Sequence, residues 1–150
     1  MPWVVTFITS WIILIFLVDL RYIKYTIWGG IFAVLFQLFI DALAYHLELY
    51  NSVNVIIRIF DSTFFFTFGA PFCIGILYAQ TYPKDLKLRF INVFVLTGLF
   101  FIMEYSLVQI GVLRYVHWHY IYSILVDISA FLIIGNLLVK FKLLPWLRRD

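Results

Sequence analysis

The sequence predicts an all-α integral membrane bundle of five transmembrane helices, and three observations predict it. First, the 150 residues are 65% hydrophobic and only 13% charged, far from the roughly 45–50% apolar and 25% charged of soluble domains. Second, a mean hydropathy of +1.02 leaves too little polar surface to cover a water-soluble globule, whereas a bilayer solvates apolar side chains that face outward. Third, five apolar runs reach the roughly 17–25 residues that a spanning helix needs: 3–20, 26–47, 62–80, 90–110 and 120–139. The chain reads as one transmembrane domain over 1–150.

The first run begins at Trp3 without a basic leader and meets Asp19-Leu20-Arg21-Tyr22, which is no small-residue cleavage site, so it is expected to stay as a membrane helix. The third contains Gly69-Ala70-Pro71. A proline inside a helix removes a hydrogen bond and clashes with the preceding turn, which predicts a kink or break near Ala70. Gly29-Gly30, Gly75, Gly98 and Gly135 read as close helix contacts. The connections 21–25, 81–89 and 111–119 have room for turns and no soluble catalytic domain. The longer second connection carries Val53, Ile56, Ile57 and Phe60 at helical spacing, with Asn51, Asn54, Arg58 and Asp61 elsewhere around the turn. That pattern predicts a short interfacial helix over 51–60, the alternative being a re-entry loop with a hydrophobic edge.

Orientation follows from the cations. One side holds Arg21, Lys24, Lys84, Lys87, Arg89, Lys140, Lys142, Arg148 and Arg149, and the other only Arg58 and Arg114. Nine against two puts the N-terminus outside and the C-terminus in the cytoplasm, as an odd number of spans requires. Trp3, Tyr22, Tyr25, Trp28, Tyr50, Tyr82, Trp118, Tyr120 and Trp146 fall near span ends and read as interfacial anchors. A net charge of +3 does not indicate nucleic acid, because the basic residues are scattered between apolar runs and form no groove with stacking aromatics. The single cysteine, Cys73, permits no intrachain disulfide and no paired-cysteine metal knuckle.

Three carboxylates lie within the runs: Asp41, Glu104 and Asp127. An ionisable group at membrane depth is costly unless paired, hydrated or neutralised, so it marks a candidate site. Each falls six or seven residues from the outer end of its helix, about 10 Å at 1.5 Å per residue, which predicts one acidic layer in the outer half. Gln37, Asp41 and Tyr45 share one helix face by spacing, as do Tyr120, Ser123 and Asp127; Thr97 stands two turns below Glu104. Above the layer lie His46, Glu48, Arg58, Asp61, Arg114, His117 and His119.

Several readings of this layer stay open. The carboxylates could lock the helices together through hydrogen bonds to Tyr, Ser, Gln and an inward-reaching Arg58 or Arg114, as in a non-catalytic accessory or assembly subunit. Alternatively, Asp41, Glu104 and Asp127 with Tyr45, Ser123 and His117 form an outward-facing pocket that binds or passes a proton, a cation or a small cationic ligand. A third reading is an intramembrane metal-dependent enzyme in which His117 and His119 join Asp127 or Glu104 as ligands. His-Trp-His spacing puts the two rings about 200° apart on a helix, so only an irregular turn brings both to one ion. Arg58 and Arg114 also sit where outer-leaflet phosphates would be, which makes lipid headgroups candidate ligands. No phosphate loop, nucleophile elbow or HExxH motif implies a cofactor. Five spans cannot divide into equal repeats, so transport would imply a homo-oligomer or a subunit of a larger complex.

One resemblance adds to this reading. Arg58-Ile59-Phe60 before Ser62-Thr63-Phe64, Tyr82-Pro83, Glu104-Tyr105, and Tyr115-Val116-His117-Trp118-His119-Tyr120 together resemble a family of small uncharacterised multi-spanning membrane proteins of spore-forming and related Gram-positive bacteria, over about residues 60–140. The resemblance implies a bacterial cytoplasmic membrane and four or five helices, implies no activity, and draws attention to Glu104, His117 and Trp118.

Overall fold

A computed structural model describes residues 1–147. Arg148 and Arg149, two of the nine cations assigned to the inner side, lie outside the described residues. The chain is mostly helical, in the order α1 (Pro2–Leu17), α2 (Ile23–His46), β1 (Tyr50–Ser52), β2 (Arg58–Ile59), β3 (Ser62–Thr63), α3 (Phe64–Thr67), α4 (Ala70–Gln80), α5 (Leu86–Ile110), β4 (Leu113–Tyr115) and α6 (Tyr120–Lys140). Among the described residues three helices are long and apolar enough to cross a membrane: Leu20–His46, Leu86–Ile110 and Tyr120–Lys140. The other two apolar segments, Pro2–Leu17 and Phe64–Gln80, are shorter. At 1.5 Å per residue the 16 residues of α1 reach about 24 Å, less than the roughly 30 Å hydrocarbon layer.

Polar side chains set the helix ends, and they move several away from where hydropathy alone places them. The first helix stops at Leu17 because Gln80 clamps the turn, its Nε2 donating to the Leu17 carbonyl at 2.9 Å and its Oε1 accepting from the Asp19 N–H at 2.7 Å. Asp19 then accepts the Arg21 N–H at 3.0 Å and pairs with the Arg21 guanidinium at 2.7 Å. The α5 helix starts at Leu86, four residues before the apolar run, since the Asp85 carboxylate accepts the Lys87 N–H at 2.8 Å as an N-cap. It ends at Gly111, whose φ of 87° is the left-handed C-terminal stop that glycine adopts without strain.

The third apolar segment is divided. Phe68 and Gly69 separate α3 from α4, and Pro71 falls in the first turn of α4, where its missing N–H has no helical partner to lose. Of the kink or break expected near Ala70, the chain shows the break, placed just before that residue. The α4 helix packs on both α1 and α2. Against α2 the backbones nearly touch: a Cβ on Gly29 would lie 2.3 Å from the Gly75 carbonyl oxygen, and one on Gly75 would lie 2.4 Å from the Gly29 oxygen. Gly30 meets Phe72 and Ile76, and Gly135 meets the Tyr78 hydroxyl. Gly98 departs from the sequence expectation, because its position faces open space.

The connections that follow α2 and α5 form strands where the sequence reading has none. Asn51–Phe60 is not an interfacial helix: β1 pairs antiparallel with β4 in the register Tyr50↔Tyr115, Asn51↔Arg114 and Ser52↔Leu113, and β2 pairs with β3 as Arg58↔Thr63 and Ile59↔Ser62. The Val53 N–H continues the first ribbon to the Val112 carbonyl at 2.8 Å. Val53, Val55, Ile56 and Ile57 are β-branched and favour extended backbone, while Asn54 and Phe60 take positive φ of 56° and 52°, which a helix does not admit. The apolar side chains Val53 and Val55 pack beneath the ribbon against the cluster of Trp3, Phe66 and Leu113.

Candidate functional site

The β1–β4 ribbon roofs one end of the bundle, and a cavity of about 50 Å³ lies below it. A water needs about 10–15 Å³ of such volume, so the cavity has room for a few waters or a small cation and none for an organic substrate. Asp41 from α2, Glu104 from α5 and Asp127 from α6 all line it, with Gln37 and Ser123 beside them and Trp3, Phe66 and Phe100 as apolar walls.

The three carboxylates are held differently. Asp41 is fully engaged: Oδ1 accepts from Gln37 Nε2 at 2.9 Å and from the Tyr50 hydroxyl at 2.7 Å, while Oδ2 accepts from the Ser62 hydroxyl, which also contacts Thr67. Glu104 Oε1 accepts from the Tyr115 hydroxyl and from Ser123 Oγ, the latter at 2.6 Å. Ser123 is in turn fixed by Trp118, whose indole N–H donates to it at 2.6 Å. Asp127 Oδ2 is buried and has no hydrogen-bond partner.

Among the described residues the one carboxylate salt bridge is Arg21–Asp19, so none of the three pocket carboxylates is neutralised by a cation. Arg58 and Arg114 do not reach inward. They are exposed, and their guanidinium groups donate instead to backbone carbonyls, Arg58 to Ser52 at 3.0 Å and Arg114 to Gly111 at 3.4 Å. Arg114 is paired with the exposed Asn51 in the β1–β4 ribbon, and Arg58 lines a second, larger cavity rather than the acidic one.

The phenols over the pocket respond to what they touch. Burial first, then the Asp41 carboxylate, pushes the Tyr50 hydroxyl well above the usual tyrosine range. Burial and the Glu104 carboxylate do the same to Tyr115. Both therefore remain protonated donors at any physiological pH.

The structure does not bring every candidate into the pocket. Tyr45 is exposed and lines a second, outer cavity of about 350 Å³ above Asp41. His117 is exposed and faces the Glu48 carbonyl, with Nδ1 at 3.3 Å. His119 caps α6, its Nδ1 accepting the Ile121 N–H at 3.2 Å. The two histidines are thus committed to separate backbone partners, and among the described residues no three His, Cys, Asp or Glu side chains converge as a metal set. Tyr120 belongs to an aromatic cluster with Phe101, Tyr105 and Tyr115.

Conversely, residues read as interfacial anchors turn inward. Tyr50 and Trp118 supply hydrogen bonds to the pocket, and Trp3 is buried with its indole N–H on the Val53 carbonyl at 2.8 Å. Ser62 and Tyr115 carry no sequence signal at all as carboxylate partners, nor does Thr67, which contacts the Ser62 hydroxyl. No protein-family model, curated protein or solved structure matches this chain.

Proposed function

We infer that the chain is a multi-pass membrane protein whose acidic pocket binds or passes a proton or a small cation. One observation carries the reading: three carboxylates from three helices line a single small cavity without a cationic side chain among them, and one of them, at Asp127, has an oxygen with no donor. A group left this way in an apolar surround requires a counter-ion or a proton. The volume selects the smallest members of the cationic class. The outer cavity, which also reaches Asp41, Tyr50 and Ser52, gives the pocket its way out.

In this proposal all five apolar segments span the membrane, with the N-terminus outside and the C-terminus in the cytoplasm. The Lys and Arg distribution supports that orientation, and it opens the pocket to the exterior of a bacterial cytoplasmic membrane. The short α1 and the divided α3–α4 are accommodated by local thinning or by neighbouring subunits, in a homo-oligomer or a larger complex. Glu104, Tyr115 and Trp118, which carry part of the resemblance to Gram-positive membrane proteins, meet around Ser123.

The test is infrared difference spectroscopy of the full chain in detergent, following the carboxyl stretch on changing pH and on exchanging sodium for a bulky organic cation. A band that responds, and that disappears in Asp127→Asn, is the expected result. A spectrum indifferent to both, in wild type and variant alike, defeats the reading.

A second reading has its own support. The bonds Tyr50–Asp41, Ser62–Asp41 and Tyr115–Glu104 each join an outer strand to a helix, which is what an accessory subunit with a purely structural polar layer would show. In that case Asp41→Asn and Glu104→Gln lower thermal stability and Asp127→Asn changes no spectroscopic band.

A further inference from the structure

Above the acidic pocket lies the larger polar cavity of about 350 Å³, within the range of small-molecule sites and too large for a bare ion to fill. Its walls set opposite charges against each other across a small space. Arg58 sits on one side of the β2–β3 hairpin and Asp61 in its turn, with Tyr45, Asn51 and Ser52 as neutral hydrogen-bonding groups. Among the described residues the Arg58 guanidinium makes a single hydrogen bond, through Nη2 to the Ser52 carbonyl, which leaves most of its donor fork for a ligand. Asp61 lies in no ion pair among the described residues. The floor is Asp41, a second negative group, although it is already saturated by its own donors.

The hairpin that carries these charges is built around an unfavourable residue. Ile59 pairs with Ser62, so Phe60 and Asp61 are the two turn residues. Phe60 takes φ 52°, in a position where glycine or asparagine is at ease, and its ring is 85% exposed. A bulky aromatic held in the left-handed region at the rim of a polar cavity places an apolar surface beside the two charges.

We propose that this vestibule binds a zwitterionic group, its phosphate or carboxylate on Arg58 and its ammonium toward Asp61, with the Phe60 ring against the apolar part of the same molecule. Two sources share this chemistry: the ethanolamine headgroup of a phospholipid in the outer leaflet, and a free aminophosphate or amino acid. The site stands apart from the acidic pocket, since none of its charged recognition groups, Arg58 and Asp61, lines the inner cavity.

The test is native mass spectrometry of the full chain released from nanodiscs of phosphatidylethanolamine and phosphatidylglycerol, with and without free O-phosphoethanolamine or glycine. A tightly retained phosphatidylethanolamine, reduced about tenfold or more in occupancy-derived affinity by Arg58→Gln and by Asp61→Asn, supports the proposal with a lipid ligand. Retention of a free zwitterion with the same dependence supports it with a soluble one. Arg58→Lys, which keeps the charge, retains part of the binding in either case. Absence of any zwitterion adduct overturns the proposal, as does an adduct unaffected by both neutralising variants. The carboxyl spectrum of Asp127 reports the inner pocket alone, so the two readings fail separately.

Discussion

Tyr50 and Tyr115 stand directly opposite each other in the β1–β4 ribbon, and each hydroxyl ends on a different buried carboxylate, Asp41 for the one and Glu104 for the other. Opposed residues of an antiparallel pair project from the same face. The ribbon therefore delivers two donors to the pocket carboxylates from residues 65 positions apart in sequence, and it couples the engagement of one carboxylate to that of the other.

That coupling is measurable. Tyr50→Phe and Tyr115→Phe each remove a hydrogen bond to a carboxylate and should lower stability by about 1–2 kcal/mol. The double variant should cost less than the sum, because the first loss already loosens the shared ribbon. Reversible unfolding of all four proteins in mixed detergent gives the coupling energy, and strict additivity would show the two tyrosines to act independently.

The carboxylates themselves should respond unequally. Asp41→Asn replaces one acceptor oxygen by a donor NH2 that confronts Gln37, Tyr50 or Ser62, so it should destabilise by about 1–3 kcal/mol. Asp127→Asn relieves an oxygen that has no donor and should leave stability unchanged or raised. Thermal melts of the two variants side by side settle this, and an Asp127 variant as damaged as the Asp41 one would refute the assignment.

Glycine substitutions provide a contrast within one protein. Gly75→Ala forces a methyl to within 2.4 Å of the Gly29 backbone oxygen, so α2 and α4 must separate, at a cost of about 1–3 kcal/mol or more. Gly98→Ala meets open space and should stabilise α5 by about 0.5–1 kcal/mol. Folded yield and melting temperature should move in opposite directions for the two.

Acid should loosen the α1–α2 turn through Asp19. Its hydrogen bonds from the Arg21 guanidinium and N–H hold the carboxyl below the ordinary aspartate value of 3.8. A depressed folded value means that the contribution is complete above the ordinary value and is lost as pH falls through the lower folded one. Asp19→Asn should therefore show a flatter melting temperature between about pH 2 and pH 5 than wild type, and parallel curves would refute it.

The helices and the carboxylates are legible in the sequence because both are local signals: a long apolar run, and an ionisable residue within it. The donors are not, since an aromatic at a span end can face the headgroups or turn inward. Tyr50 and Trp118 turn inward because of a strand pairing between two distant loops. Periodicity misleads over 51–60 for a related reason. Val53, Ile56, Ile57 and Phe60 fit a helical spacing, but the β-branching of the first three and the left-handed Asn54 and Phe60 favour extended chain and a turn, which β1 completes by pairing with β4 and β2 by pairing with β3. The clamp of Gln80 on Leu17 and Asp19 is equally invisible to hydropathy, which places the end of α1 three residues too late.

The seating of α1 and α2 on α4 bears on biogenesis. The Gly29-Gly30 surface of α2 packs against Gly75 and its neighbours on α4, so during synthesis that surface has no partner until the segment after the Phe68–Gly69 break has left the ribosome. Packing of α2 thus waits on the one interrupted apolar segment among the described residues, and a chain stalled before Ala70 would expose a glycine groove to any chaperone able to shield it.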